Sequence, residues 1–230
     1  MGKQIIVIPA YNEEATVAQV VRDAVRVADA VVVVDDGSRD RTSALAGEAG
    51  AIVVRHAVNR GLGGALGTGL AAAIKLGADA VVTMDADGQH RAADAARVFQ
   101  RLGQGDVDFV IGSRMLGSAP GNEDGGKMPI HRVLFNGVGN ALTYLLFGVW
   151  VTDSQSGLRG LSRRAAETIE LRTNGMEVSS EFIKELREKR WQLAEIAIPA
   201  IYTEYSLSKG QSFFVGIKTA AKLIIRRFIG

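Results

Sequence analysis

Apolar and polar positions alternate along the first half of this chain in a way that predicts strand and helix in turn. "QIIVIP" (4–9) is a short apolar run, so a buried strand; Val17, Val20, Val21, Ala24, Val25 and Ala28 then fall at helical spacing. "AVVVVDDGS" (30–38) predicts a second strand ending in turn residues, with Ser38 as cap of a helix that carries Leu45, Ala46 and Ala49 inward. "AIVVRH" (51–56) is a third strand, and "GGALGTGLAAAIKLG" (63–77) a helix of small residues against which something packs closely. "AVVTMD" (80–85), a helix over Ala92–Leu102 and "DFVIGSR" (108–114) complete the series. Strands apolar on both faces and separated by helices predict an α/β fold: a mostly parallel central sheet covered by helices on both sides.

Ligands of such sheets bind at the carboxyl ends of the strands. Polar clusters sit there: Tyr11, Asn12 and Glu13 after strand one; Asp35 to Ser38 after strand two; Asn59, Arg60 and Gly61 after strand three; Asp85 and Asp87 after strand four; Ser113 and Arg114 after strand five. The five clusters are expected to converge on one edge.

The pattern changes after residue 115. "MLGSAPGNEDGGKMP" (115–129) reads as a long functional loop. A helix follows over Ile130–Phe147, then "TDSQSGLRGLSR" (152–163), a helix near Glu177–Arg190 and a strand at 193–199. The tail 213–230 is amphipathic, with Lys218, Lys222, Arg226 and Arg227 away from an apolar face. No linker divides the chain, so the expected organisation is one domain, 1–205, followed by an appended segment, 206–230.

Composition narrows the function classes. The 230 residues are 47% hydrophobic with a formal charge of +2, without the basic stripe of a nucleic-acid binder. Absence of cysteine excludes disulfides and thiolate chemistry. The N-terminal apolar run is too short for a signal peptide, and the most apolar stretch, 133–151, is broken by Asn136, Asn140 and small residues.

Asp85 and Asp87 are the sharpest chemical signal. In extended backbone, residues i and i+2 point the same way. Two carboxylates on one side attract a hard divalent cation, Mg²⁺ or Mn²⁺, with Gln89 as a further oxygen ligand. The alternative is a polar turn in which Asp87 only caps the next helix. Asp35 and Asp36 are either turn formers or acceptors for the N–H groups of a nucleobase. Arg114, Arg132 and Arg159 can receive phosphate oxygens, or "DSQSGLRG" (153–160) is simply a turn leading into a strand. His56, His90 and His131 show no metal-binding spacing, and neither phosphate loops nor serine-nucleophile motifs are present.

Taken in order, "PAYNEE" (9–14), "VDDGSRDRT" (34–42), "NRGLGGA" (59–65), "DADGQH" (85–90), "GSR" (112–114) and "DSQSGLRG" (153–160) resemble the family 2 glycosyltransferases of GT-A fold. Within that family the chain is most similar to the dolichyl-phosphate mannosyltransferase-like group, over about residues 4–205. The resemblance implies a single Rossmann-like nucleotide-sugar-binding domain and an inverting hexosyl transfer, mannose favoured, from a GDP- or UDP-linked donor to a polyprenyl phosphate. It implies that Pro9, Tyr11, Glu13, Asp36, Arg60, Gly61 and Asp85 hold the donor, and that Asp85, Asp87 and Gln89 hold the metal. Arg114, Arg132 and Ser156 would face the phosphates. "IYTEYSLSKGQS" (201–212) lacks the arginine that some relatives carry, and Lys209 is its expected substitute.

Asp87, Arg114, Asp153 and Arg159 are the catalytic candidates. Asp153 either orients Arg159 or the acceptor, or becomes the base if the acceptor is a sugar hydroxyl. The lipid acceptor implies peripheral attachment to the cytoplasmic face of the membrane, with the tail either an interfacial helix or an ordinary helix packed on the sheet. The rival readings are transfer to a hydroxyl of a polysaccharide and a non-catalytic nucleotide-sugar-binding protein. Nucleic acid is not an expected partner, and the oligomeric state is left open.

Overall fold

The apolar run from Ile5 to Ile8 is completely buried and lies at the centre of the sheet, its alternate side chains entering two different cores. The structure, a computed structural model, describes residues 2–116 and 130–201, with side chains throughout except at 130–136. The tail 206–230, with Lys209, and loop positions 117–129 lie outside the described residues, as does the side chain of Arg132.

The elements run β1 (Gln4–Ala10), α1 (Val17–Ala24), β2 (Ala30–Asp35), α2 (Thr42–Glu48), β3 (Ile52–Arg55), α3 (Gly61–Lys75), β4 (Ala80–Thr83), α4 (Ala92–Leu102) and β5 (Phe109–Ser113). They continue with α5 (Ile130–Phe147), β6 (Arg159–Ser162), α6 (Arg163–Thr168), α7 (Val178–Glu188) and β7 (Leu193–Ala197). The strands form one sheet in the order β3-β2-β1-β4-β6-β5-β7. All pairings are parallel except those of β6, which runs antiparallel between β4 and β5.

Ile5 and Val7 face a core shared with Leu66 and Leu70 of α3 and Phe182 of α7. Ile6 and Ile8 face Val17 and Val21 of α1 and Val98 and Phe99 of α4. Small residues in α3 serve this packing: a Cβ on Gly69 would strike the Val7 side chain, and one on Gly63 the Thr173 carbonyl oxygen. Pro9 is tolerated in a central strand because it lies past the last β4 pairing, Val7 with Thr83, where no ladder donor is needed.

One local expectation is corrected. Ser38 does not cap α2; its Oγ accepts from the Asn12 N–H at 2.9 Å, and the Thr42 N–H is received by Asp40 at 3.0 Å. The strand expected after the 153–160 turn is β6, and it enters the sheet antiparallel between β4 and β5. Its insertion depends on Gly160, where a Cβ would collide with Val98 of α4.

Because β6 is antiparallel, it starts at the edge where the other strands end. Ala10 is level with Asp35, Asp35 with Arg55, and Thr83 and Ile111 both with Arg159. The segment 153–158 is thereby delivered to the same edge as the five polar clusters.

Candidate active site

At the β1–β2 side, two loops are clipped together. Asn12 adopts φ 53°, donates its N–H to Ser38 and accepts from the Arg39 N–H at 2.9 Å. Tyr11 is 43% exposed and lines a cleft of about 580 Å³ with Ser38, Arg39, Arg55, His56 and Asn59. That volume suits a small planar ligand.

Asp36 is placed differently from a free base acceptor. It is 3% exposed. Its oxygens accept from the N–H groups of Arg60 and Gly61 at 2.8 and 2.7 Å, and Oδ1 lies 2.7 Å from Nδ1 of His56. Asp36 therefore anchors the start of α3, with the negative charge at the positive end of the helix. Gly61 has φ +82° there, which a side chain would oppose. His56 completes the anchor through Thr68, 3.0 Å from its Nε2. His56 is set apart from the other histidines in sequence only by its position, one residue past the end of β3.

At the end of β4, Asp87 accepts from the Gln89 N–H at 3.0 Å, and Gly88 turns the chain with φ +78°. Asp87 does not cap α4, whose N-cap position is Arg91, and beyond the turn contact with Gln89 its carboxylate is left for another partner. Burial pushes the Asp87 carboxyl up, and the neighbouring Asp85 charge pushes it further. Burial also opposes the charge on Asp85, but His90, Arg159 and Arg114 outweigh it and hold that carboxyl below its usual range. His90 Nε2 is 3.3 Å from Asp85, while its buried Nδ1 has no partner. Gly157 leaves room for the Asp85 carboxylate, which any Cβ there would strike.

Among the described residues no three His, Asp or Glu side chains form a complete metal cage. Two acids whose charges oppose each other still fit Mg²⁺ or Mn²⁺, which commonly take one or two carboxylates and complete their shell with phosphate and water.

Across the edge, Arg114 is clamped by Asp153. Its Nε and Nη2 donate to the two carboxylate oxygens at 2.7 and 2.9 Å, and its backbone N–H donates at 3.1 Å. Asp153 is fully buried. It thus orients Arg114, not Arg159, and has no open face from which to act as a base.

Arg159 is 3% exposed. It donates to Ser179 at 2.8 Å and lies 4.7 Å over the Phe182 ring. Burial pushes its guanidinium down to about 10, against the pull of Asp85 and Asp153. It acts on the site through its field and is not an open phosphate ligand. Ser156 is likewise fully buried, its Oγ accepting from the Leu158 N–H, so the expected contact with acceptor phosphate is withdrawn. These two corrections share a cause: β6 draws 156–159 beneath the edge.

Residues 5–170 match the family model described as Glycosyl transferase family 2, and the chain belongs to that family. An uncharacterized protein of Methanocaldococcus jannaschii is 42% identical over 96% of this chain and 91% of its own length. The UDP-N-acetylglucosamine–dolichyl-phosphate N-acetylglucosaminyltransferase of Methanococcus voltae is 35% identical over 96% of this chain and 94% of its own. The undecaprenyl-phosphate mannosyltransferase of Micrococcus luteus is 30% identical over 92% and 89%. Among solved structures, glucosyl-3-phosphoglycerate synthase from Mycobacterium tuberculosis, in complex with Mn²⁺ and UDP, superposes with a TM-score of 0.75 at 20% identity, covering 98% of this chain and 80% of that one. The fold is the GT-A arrangement expected from the motifs.

Proposed function

We propose that this protein transfers a hexose from a nucleotide sugar to a polyprenyl phosphate, with inversion at the anomeric carbon, using Mg²⁺ or Mn²⁺ at the cytoplasmic face of a membrane. The observation that carries this reading is the buried Arg114–Asp153 pair. Transfer to a hydroxyl calls for a general base. The acid best placed in sequence for that task is spent on holding an arginine. A phosphate monoester has a second pKa of ~6 and is already largely dianionic at neutral pH. One of its oxygens attacks the anomeric carbon while the bond from that carbon to the donor phosphate breaks. The nucleoside diphosphate leaves with the electron pair, and no proton has to move. Arg114, held by Asp153 through Nε and Nη2, suits the attacking phosphate as a fixed guanidinium cation.

On the donor side, the Tyr11 cleft supports a base and ribose, and Pro9 and Glu13, two residues before and after Tyr11 in sequence, are assigned to the same ligand. Asp36 shapes that end through Arg60 and Gly61. A divalent cation held by Asp85 and Asp87, with Gln89 alongside, would offset the charge building on the leaving pyrophosphate. Arg132 and Lys209 remain assigned to the acceptor phosphate.

A membrane-borne acceptor is supported by an exposed apolar patch. Val138, Tyr144 and Leu145 of α5 and the adjacent Trp150 are 59%, 47%, 79% and 59% exposed. Tyrosine and tryptophan favour the membrane interface. No helix among the described residues is long and apolar enough to cross a membrane.

The sugar has two arms. The motifs favour mannose; the 35% identical relative is named for N-acetylglucosamine transfer. Purified protein, Mn²⁺, a panel of GDP- and UDP-sugars and a short-chain polyprenyl phosphate decide between them. A lipid-linked sugar from one donor is the expected product. Turnover only with a sugar hydroxyl acceptor would overturn the lipid assignment, and donor binding without turnover on any acceptor would favour a non-catalytic role.

A further inference from the structure

Helix α5 interrupts its apolar pattern with a buried amide, Asn140, 4% exposed. Val138, two positions earlier, is on the exposed side, and a two-residue step turns a helix by about 200°, so Asn140 points inward. Its Nδ2 donates to the Thr152 carbonyl at 2.6 Å, and its Oδ1 accepts from the Ser154 N–H at 2.9 Å. These two contacts bracket Asp153. The stretch 151–158 belongs to no strand or helix, so no ladder fixes its backbone. Beyond the Asn140 amide, Glu195 of β7 accepts from the Thr152 N–H and hydroxyl at 2.9 and 2.8 Å. A side chain that offers donor and acceptor together is required at 140, and asparagine does so at the shortest reach.

We propose that Asn140 is a positioning residue: by holding the backbone on both sides of Asp153 it sets the Arg114 guanidinium for the acceptor phosphate. The amide thus ties α5, whose opposite side carries the exposed Val138 and Leu145, to the acceptor end of the site. The inference rests on the reading that Arg114 meets that phosphate. The donor side has its own anchor in Asp36, His56 and Arg60, so a defect at 140 should be confined to the acceptor.

The test compares Asn140→Ala, Arg114→Ala and the double variant in the full chain. Readouts are steady-state kinetics with a short-chain polyprenyl phosphate, UDP and GDP affinity by calorimetry, and melting temperature. Asn140→Ala is expected to raise the acceptor KM about tenfold, as small misplacements of a positioned group do, with nucleotide affinity unchanged. The double variant should be no worse than Arg114→Ala alone, because both changes act through one group. If the alanine variant does not fold, Asn140→Gln stays neutral, keeps donor and acceptor but lengthens the reach, and carries the same comparison. An unaltered acceptor KM, or independent multiplying losses in the double variant, overturns the proposal. Arg114→Ala with a normal acceptor KM overturns the phosphate reading itself and this inference with it, a result recognisably different from failure at 140 alone.

Discussion

Arg114 and Asp153 lie 39 positions apart in sequence yet form a two-pronged ion pair around a carboxylate with no exposed surface. Removing one partner of such a pair leaves the other charge uncompensated. Asp153→Ala should therefore destabilise the protein by about 3 kcal/mol and lower turnover by releasing Arg114. Asp153→Asn is the discriminating variant. It keeps an acceptor for Arg114 and should retain easily measured turnover, whereas loss of a general base costs about 10²–10⁴-fold. Steady-state rates and melting curves of both variants check this; a loss of that size in a well-folded asparagine variant would restore Asp153 as base.

Asp87→Ala should abolish cation-dependent turnover and leave the fold intact. The carboxylate makes one hydrogen bond, to the Gln89 N–H beside it in sequence, and its charge is opposed by burial and by Asp85. Its removal takes little from the apo protein. Mn²⁺ binding in the presence of UDP, followed by electron paramagnetic resonance, should fall with activity while the melting temperature holds. Unchanged activity would remove Asp87 from the metal site.

The exposed patch around α5 predicts membrane binding that single changes weaken. Leu145→Glu and Trp150→Ala each remove exposed apolar area without touching a core. Co-sedimentation with vesicles containing anionic lipid should drop for both variants, and further when residues 213–230 are deleted. Activity on a short, water-soluble polyprenyl phosphate should be spared. Equal sedimentation of all variants would place the membrane contact elsewhere.

Glu185 of α7 offers a pH test away from the site. It is 3% exposed and accepts from the Glu170 N–H at 3.1 Å. Burial raises its carboxyl above the ordinary 4.5, more than that hydrogen bond and the lysines nearby lower it. The folded state then binds more protons than the unfolded one just above pH 4.5. Its contribution is fully present below that pH and is lost as pH rises through the raised folded value. Glu185→Gln keeps the acceptor and removes the titration. Its melting temperature should match wild type near pH 3.5 and exceed it at pH 7; a variant that is less stable at pH 7 would contradict this.

The strands and helices before residue 115 were legible because each is a local pattern: an apolar run, a helical spacing, a polar stop. The convergence of five polar clusters followed from that pattern alone, since parallel strands end at one edge. A strand after the 153–160 turn was legible, but its antiparallel place in the sheet was not. "RGLS" has no periodicity, and its place between β4 and β5 is set by α4 packing on Gly160, 62 positions from Val98. His56, Asn140 and Glu195 were missed for a related reason. Each is a lone polar residue in or beside an apolar segment, and its value lies in a partner far along the chain.

By itself, then, the sequence determined which residues reach the site: the order of elements and the position of each polar group relative to a strand end are properties of neighbours. The tertiary structure decided which of those groups remain available there. Asp36 is spent on the α3 N-terminus, Asp153 on Arg114, Arg159 on Ser179 and Phe182, while at the end of β4 Asp85 is drawn by His90, Arg159 and Arg114 and Asp87 carries a charge that burial and Asp85 oppose. A carboxylate becomes anchor, clamp or cation ligand according to the donors that folding brings within about 3 Å. Those donors come from other strands and helices, so spacing along the chain could not assign them.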